Sequence, residues 1–163
     1  MATEEEKAGD FTAKISSLWK EQKIRELLYL KALKKDGMGP LRRMLSQGHF
    51  SAVLFQREIG WIYDYFKCFL TDQDLGANET DSENSLVLND FDSLNGQEQV
   101  AGFLKRKEEA VLNSYRSVYN RLEFDTETGR VLKEHLDRIT EFCEILSKQE
   151  DRSGRVWKMK VSA

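Results

Sequence analysis

Apolar side chains recur from Leu41 to Phe69 at alternating steps of about four and three residues. This spacing places one apolar seam along a helix, facing partner helices. Two small members of the seam, Gly48 and Ala52, predict a place where another backbone approaches closely. The pattern therefore predicts an all-α helical bundle. The seam comprises Leu41, Leu45, Gly48, Ala52, Phe55, Ile59, Ile62, Phe66 and Phe69.

Three further amphipathic segments accompany this seam. We expect a first helix from its N-cap Asp10 to Lys35, a third over 97–122, and a fourth from Asp125 or Thr126 to Lys148. Four such segments predict an antiparallel four-helix bundle over residues 10–150. The third seam holds Leu104, Glu108, Val111, Tyr115, Val118 and Leu122, and the fourth holds Leu132, His135, Ile139, Phe142 and Leu146.

A strong helix breaker, Asp36-Gly37-Met38-Gly39-Pro40, leaves two interpretations open for the first half of the chain. In the first, one helix ends near Lys35, and Pro40 opens a second that runs to about Leu70. In the second, a helix from about Lys20 continues, kinked, through Pro40, and the turn lies at 47–49. We favour the first because two glycines and a proline lie together.

A long acidic connection over 71–97 separates the second and third predicted helices, and it contains no Lys or Arg. Loops of this length are unusual in a compact domain unless they cross it, are disordered or are functional. The apolar groups at 86–88 and 91–94 predict that its second half packs on the core. At the two ends we expect a flexible acidic segment over 1–9 and a basic tail over 151–163.

Composition limits the classes of function. The 163 residues suit one domain, 33% of them are charged, and the formal net charge of −3 argues against nucleic acid as a partner. No apolar run is long enough to span a bilayer, and the acidic N-terminus is unlike a signal peptide. We therefore expect a cytoplasmic protein in which Cys68 and Cys143 remain reduced.

A bundle of this kind invites a test for a di-metal centre, which needs Glu-x-x-His pairs. Neither histidine has a Glu three residues before it, since Ser46 precedes His49 and Leu132 precedes His135. Glu108 and Tyr115 lie one heptad apart on one seam, and His135 lies on another. A buried Glu108 needs a hydrogen-bond donor, for which Tyr115 and His135 are the candidates.

This group supports more than one interpretation. It predicts either a non-standard metal site, with Glu108, His135, Tyr115 and Glu58 or Glu26 as candidate ligands, or a polar network without ligand. A third possibility is that these side chains lie at the edge of the bundle. We favour the network and predict no cofactor.

The segment from Arg106 to Tyr115, followed by a short turn and the helix through His135, resembles a known family. It is similar to the uncharacterised bacterial ferritin-like four-helix bundles termed domain of unknown function 2383, in which a Glu and a Tyr one heptad apart mark the third helix. The family's related first-half motif is Asp-Gly-Glu-x-Gly-Tyr. Here Met38 stands in place of that Glu and Leu41 in place of that Tyr. The resemblance implies a ferritin-like bundle but no particular activity.

Within the aromatic run from Trp61 to Phe69, Trp61 and Tyr65 form, together with Cys68, a second face beside the main seam. This face predicts an oligomer interface, a wide core or a small-molecule pocket. Trp61 and Tyr65, together with Trp157 of the basic tail, are our candidate interface residues. No phosphate-binding loop, nucleophile elbow or Cys–His pair occurs. We expect a non-enzymatic bundle that acts through protein–protein contacts as a homodimer, with a metal- or redox-active bundle around Glu108, Tyr115 and His135 as the alternative.

Overall fold

The computed structural model describes the backbone over residues 4–66, 82–120 and 126–161, and the side chains over 9–66, 87–120 and 127–149. Within these ranges the chain is helical and contains no strand, which confirms the all-α prediction. None of the helices described is long and apolar enough to cross a membrane. The elements are α1 (Glu4–Lys34), a 3₁₀ turn (Gly39–Leu41), α2 (Arg42–Phe66), α3 (Ser82–Asp92), α4 (Gly96–Tyr119) and α5 (Thr126–Val161).

The break between α1 and α2 follows the first interpretation. Gly37 adopts a φ of 79°, a conformation that glycine reaches without strain, and Pro40 lies in the 3₁₀ turn that leads into α2. The alternative with a kinked helix is wrong, because residues 47–49 lie inside α2 rather than in a turn.

The ends of two helices extend beyond their predicted limits. α1 begins at Glu4 instead of Asp10, and α5 continues to Val161 instead of ending near Lys148.

The long connection contains a helix of its own, α3, which the spacing does not predict. Its last turn places Phe91 fully inside the core, as expected for the second half of the connection. Lys31 Nζ lies 2.7 Å from Asp92 Oδ1, and Lys35 Nζ donates to the Leu94 carbonyl at 2.9 Å. These contacts hold α3 against the C-terminal half of α1.

The core consists of two apolar clusters. α1 packs along α2 and α4 along α5, with further contacts between α1 and α4 and between α2 and α5. One cluster joins the end of α1 to the start of α2, α3 and the start of α4, and it includes Leu28, Leu45, Phe91 and Leu104. The other includes Ile15, Ile59, Val111, Leu132 and Ile139.

The predicted seam of α2 faces this core. Its members from Leu41 to Ile62 are buried, Phe66 is half-buried, and Phe69 lies outside the described residues. A side chain, rather than a backbone, makes the close approach at Gly48, because a Cβ there would lie 2.5 Å from the Tyr29 ring.

Candidate functional site

A layer of polar side chains crosses the core where one apolar cluster gives way to the other. α1, α2, α4 and α5 all contribute to this polar layer, and its members are at most 6% exposed. Uncompensated polar groups at such depth are costly, so each of them needs a partner. The polar layer consists of Gln22, Arg25, Ser51, Glu108, Tyr115 and His135.

Arg25 is the centre of the layer. Its Nε lies 2.6 Å from Glu108 Oε1, its Nη1 donates to Gln22 Oε1 at 2.8 Å, and its Nη2 donates to Ser51 Oγ at 3.1 Å. Burial opposes the positive charge, but the attraction of Glu108 outweighs it and raises the pKa of Arg25. The guanidinium therefore remains charged and paired with Glu108 inside the core.

A second series of hydrogen bonds leads from α1 to the edge of the bundle. Gln22 Nε2 donates to Tyr115 Oη at 2.8 Å, and Tyr115 Oη lies 2.9 Å from His135 Nδ1. His135 Nε2 lies 3.4 Å from Glu58 Oε1, whose side chain is 21% exposed. Because Tyr115 accepts from Gln22, its own proton can point to His135 Nδ1, which leaves the Nε2 proton facing Glu58.

His135 is held neutral in this position. Burial, followed by the positive charge of Arg25, lowers the pKa of His135 to about 3. The Phe55 ring stacks on the imidazole with a centroid distance of 3.8 Å. The ring is therefore a fixed, uncharged link between Tyr115 and Glu58 rather than a group that titrates near neutral pH.

Three buried side-chain oxygens among the described residues have no hydrogen-bond partner: Glu108 Oε2, Tyr29 Oη and Glu21 Oε2. Burial raises the pKa of Tyr29 well above its ordinary value. Glu21 accepts from Ser114 Oγ at 2.8 Å, yet burial raises the pKa of Glu21 to about 7. The charge of Glu108 also contributes to the raised pKa of Tyr29, so the Tyr29 phenol is the hydroxyl donor that lies near the unpartnered Glu108 Oε2.

The structure brings Tyr115, His135 and Glu58 together but gives Glu108 a different partner from the one expected. Arg25, not Tyr115 or His135, donates to Glu108, because the guanidinium can neutralise the carboxylate as well as bond to it. Glu26 lies apart and accepts from Gln56 Nε2 at 2.6 Å. Within the described ranges, no three His, Cys, Asp or Glu side chains are placed to hold a metal ion.

Apolar spacing alone overlooks Arg25, Gln22 and Ser51. The missed signal is the regular three- and four-residue spacing of buried α1 positions, which continues through two polar residues. Followed without regard to polarity, this spacing would have placed Gln22 and Arg25 on the inner face. The buried positions are Ile15, Leu18, Gln22, Arg25, Tyr29 and Ala32.

A second candidate site lies on the opposite side of α2. Phe50 is 71% exposed, Leu54 41%, Trp61 64% and Tyr65 70%. We call these four residues the outer face of α2. The interpretation of Trp61 and Tyr65 as ordinary core is therefore wrong, whereas the side chain of the third candidate, Trp157, lies outside the described side chains.

A surface cleft of about 350 Å³ lies between α1 and α4. None of the aromatic residues of α2 contributes to it, so this cleft is not the aromatic pocket that the sequence left open. Its walls are Lys14, Ser17, Leu18, Asn113, Ser114, Ser117 and Val118.

Comparison with protein-family models, curated proteins and solved structures gave no match to this chain. The resemblance to ferritin-like bundles thus remains a prediction from the motif residues Glu108 and Tyr115.

Proposed function

We propose that this protein is a non-enzymatic helical bundle that acts through protein–protein contacts, with the outer face of α2 as its contact surface. The observation that carries the proposal is the exposure of Phe50, Trp61 and Tyr65, each more than half accessible to solvent. Large aromatic side chains at this exposure, along one line of a helix, are typical of an interaction surface. The further parts of the proposal are a ferritin-like antiparallel four-helix arrangement, a homodimer and a cytoplasmic location.

The charge distribution inside the bundle supports a structural role for the polar layer. The Arg25 guanidinium pairs with Glu108 Oε1. His135 Nδ1 lies within hydrogen-bond distance of Tyr115 Oη, and His135 Nε2 faces Glu58. These groups are engaged with one another rather than directed towards a substrate. The chemistry available to the molecule then lies at its surface.

The proposal is tested by comparing two double variants in sedimentation velocity over a wide range of protein concentration. The double variant Phe50→Ser with Trp61→Ser removes one large aromatic side chain from each half of the outer face. Leu27→Ser with Ile145→Ser is the control, because both residues are 37% exposed and lie on α1 and α5. We expect the unchanged chain and the control to dimerise as concentration rises.

The outer-face variant should remain monomeric with an unchanged helical circular-dichroism spectrum. A variant that still dimerises like the unchanged chain would contradict the proposed role of this face. Loss of helicity in the outer-face variant alone would show that these side chains support the fold instead.

A metal- or redox-active bundle around Glu108, Tyr115 and His135 remains the second candidate function. The unpartnered Glu108 Oε2 and the nearby phenol of Tyr29 favour it, and the guanidinium on Glu108 Oε1 opposes it. Elemental mass spectrometry of protein purified after growth with iron, manganese and zinc separates the two. Stoichiometric metal that is lost in Glu108→Gln would favour the second candidate, and metal-free protein would reject it.

A further inference from the structure

Tyr115 is a buried phenol with a hydrogen-bond partner on each side. Arg25 can only donate, so its bond to Gln22 Oε1 turns the Nε2 end of that amide towards Tyr115 Oη. The phenol oxygen therefore accepts from Gln22, and its own proton points to His135 Nδ1 at 2.9 Å. Because Tyr115 is fully buried, this proton has no direct route to solvent.

His135 continues the route to the edge of the bundle. Its Nε2 carries the ring proton when Nδ1 accepts, and this nitrogen lies 3.4 Å from Glu58 Oε1. The Glu58 side chain is 21% exposed and can exchange protons with water. Burial, followed by the charge of Glu134, raises the pKa of Glu58, which makes this carboxylate a better proton acceptor than a fully exposed one. Stacking on Phe55 holds the imidazole between the two oxygens.

A phenol at this depth can lose an electron only if its proton leaves in the same step. Loss of the electron alone would leave a buried cation, and loss of the proton alone would leave a buried phenolate, and both are costly. Burial accordingly raises the pKa of Tyr115. Loss of both gives a neutral phenoxyl radical, so the core gains no charge. The relay from Tyr115 through His135 to Glu58 is the proton route that this reaction needs.

We propose that Tyr115 is a redox-active tyrosine that gives one electron to an organic peroxyl radical at the surface of the bundle. The Tyr115 O–H bond breaks and an Nδ1–H bond forms on His135, while the Nε2–H bond of His135 breaks and an O–H bond forms on Glu58. Glu58 releases its proton to solvent. The peroxyl radical takes up the electron and a proton and becomes a hydroperoxide. His135 begins and ends the step neutral, with its proton on the other nitrogen.

The electron needs no channel to the surface. Tyr115 lies on α4, and an α-helix with its side chains is about 10–12 Å across, so the outer side of α4 is about one helix diameter from the phenol. Single electrons tunnel over such distances in proteins, whereas protons move along hydrogen bonds. The step uses neither a metal ion nor the outer face of α2, so it stands apart from both functions proposed above. Metal-free protein, which would reject a metal centre, still permits it.

Flash oxidation of metal-free protein tests the assignment. Photogenerated tris(bipyridine)ruthenium(III), with persulfate as the sacrificial electron acceptor, is the oxidant, and freeze-quench electron paramagnetic resonance detects tyrosyl radicals. We expect a signal that outlives those of exposed side chains and is lost in Tyr115→Phe. Tyr29→Phe is the matched control, because Tyr29 is equally buried but its hydroxyl has no hydrogen-bond partner among the described residues. A long-lived signal that survives in Tyr115→Phe, or that the unchanged chain lacks, would overturn the inference.

Two variants test the proton route. His135→Gln keeps a hydrogen-bond acceptor for the phenol but cannot pass the proton on, so the long-lived signal should be lost. Glu58→Gln should slow its formation at least about tenfold. Glu134→Gln is the control, because it removes an exposed negative charge near Glu58 that lies outside the relay. If His135→Gln loses its helicity, Glu58→Gln at the bundle edge decides alone. Formation at the unchanged rate in the folded variants would overturn the relay.

Peroxyl radicals from a thermally decomposing azo initiator test the oxidant. The Tyr29→Phe chain should protect a fluorescent dye from these radicals as well as the unchanged chain does, and Tyr115→Phe should protect it less. Equal protection by all three chains would overturn peroxyl radicals as the oxidant. The outer-face variant, Phe50→Ser with Trp61→Ser, should form the same long-lived radical. Failure of the proposed contact surface and failure of the redox tyrosine are therefore separate results.

Discussion

The polar layer and the outer face of α2 lie in surroundings opposite to their own polarity. Arg25 is 2% exposed and pairs with Glu108 in the core, whereas Trp61 is 64% exposed to solvent. Inside, the Arg25 charge is paired with Glu108 within one chain, and Glu108 Oε2 is the one oxygen of the polar layer without a hydrogen-bond partner among the described residues. Outside, the aromatic side chains have gained little from folding. The comparison shows that folding pairs the buried charges of this chain but leaves a line of large aromatic side chains exposed to solvent.

Breaking the ion pair should have the largest effect on stability. Glu108→Ala leaves the Arg25 charge buried without its counterion, which typically costs about 3–5 kcal/mol. Arg25→Met combined with Glu108→Leu removes both charges and should recover most of that loss. Urea unfolding of Glu108→Ala and of the double variant measures the difference. A double variant no more stable than Glu108→Ala would show that the layer matters for packing rather than for charge.

Acid should weaken the interior next, through His135. Its pKa is lowered to about 3 in the folded protein, from 6.5, so the unfolded chain binds the proton first as pH falls. The stability that His135 contributes is present above pH 6.5 and is lost progressively towards pH 3, by about 3 kcal/mol at pH 4. NMR of the His49→Gln chain follows the one remaining imidazole, which should stay neutral at about pH 4.

The contribution of Glu21 to stability changes with pH in the opposite direction from that of His135. The Glu21 carboxyl group must therefore be removed before the effect of His135 is measured. Its pKa is raised from 4.5 to about 7, so its contribution to stability is present below pH 4.5 and is lost as pH rises towards 7. Unfolding curves against pH are therefore best measured in a Glu21→Gln background. An imidazole that titrates near 6.5 in the folded chain would contradict the buried, neutral His135.

Gly48 and Gly60 allow a tightly packed position of α2 to be compared with an open position in the same helix. A Cβ at Gly48 would lie 2.5 Å from the buried Tyr29 ring, whereas one at Gly60 meets no atom within 4 Å. Gly48→Ala should destabilise the fold by about 1–3 kcal/mol through overpacking, partly offset by better helix propensity. Gly60→Ala should stabilise it by up to about 1 kcal/mol. Equal changes of the thermal midpoint in Gly48→Ala and Gly60→Ala would contradict the difference in packing between the two positions.

The smallest effect on the stability of a single chain should come from the outer face itself. Trp61→Ser on the exposed side of α2 should change the free energy of unfolding by no more than about 0.5 kcal/mol. The measurement is urea unfolding at a concentration low enough to keep the chain monomeric. A much larger loss would mean that Trp61 contributes to the core of its own chain.

The sequence predicts most of the helices because apolar spacing and helix-breaking residues act locally. The seam of α2, the break at Gly37–Pro40 and the inward side of α5 all follow from such patterns. α3 escapes prediction because its stability depends on contacts distant in sequence, such as Phe91 in the core and Asp92 beside Lys31. Local pattern carries no information about those partners.

The residues of the two candidate sites likewise fall into some that local sequence pattern predicts and some that it does not. Glu108, Tyr115 and His135 are found by their positions on apolar seams, since a polar residue there is conspicuous. Arg25 is overlooked because a charged residue on a charge-rich helix is expected to face solvent, and only its partner Glu108 shows otherwise. The exposure of Trp61 is equally hidden from the sequence, because aromatic residues pack inside more often than they remain outside.

The ion pair between Arg25 and Glu108 also limits how the helices can slide past one another. The inner face of α1 repeats every heptad, so a shift of seven residues would still meet α4 with regularly spaced side chains. That shift would place Leu18 or Ala32 where Arg25 now meets Glu108, leaving a buried carboxylate without a donor. Two charged residues thus select one alignment from several that apolar packing alone would accept.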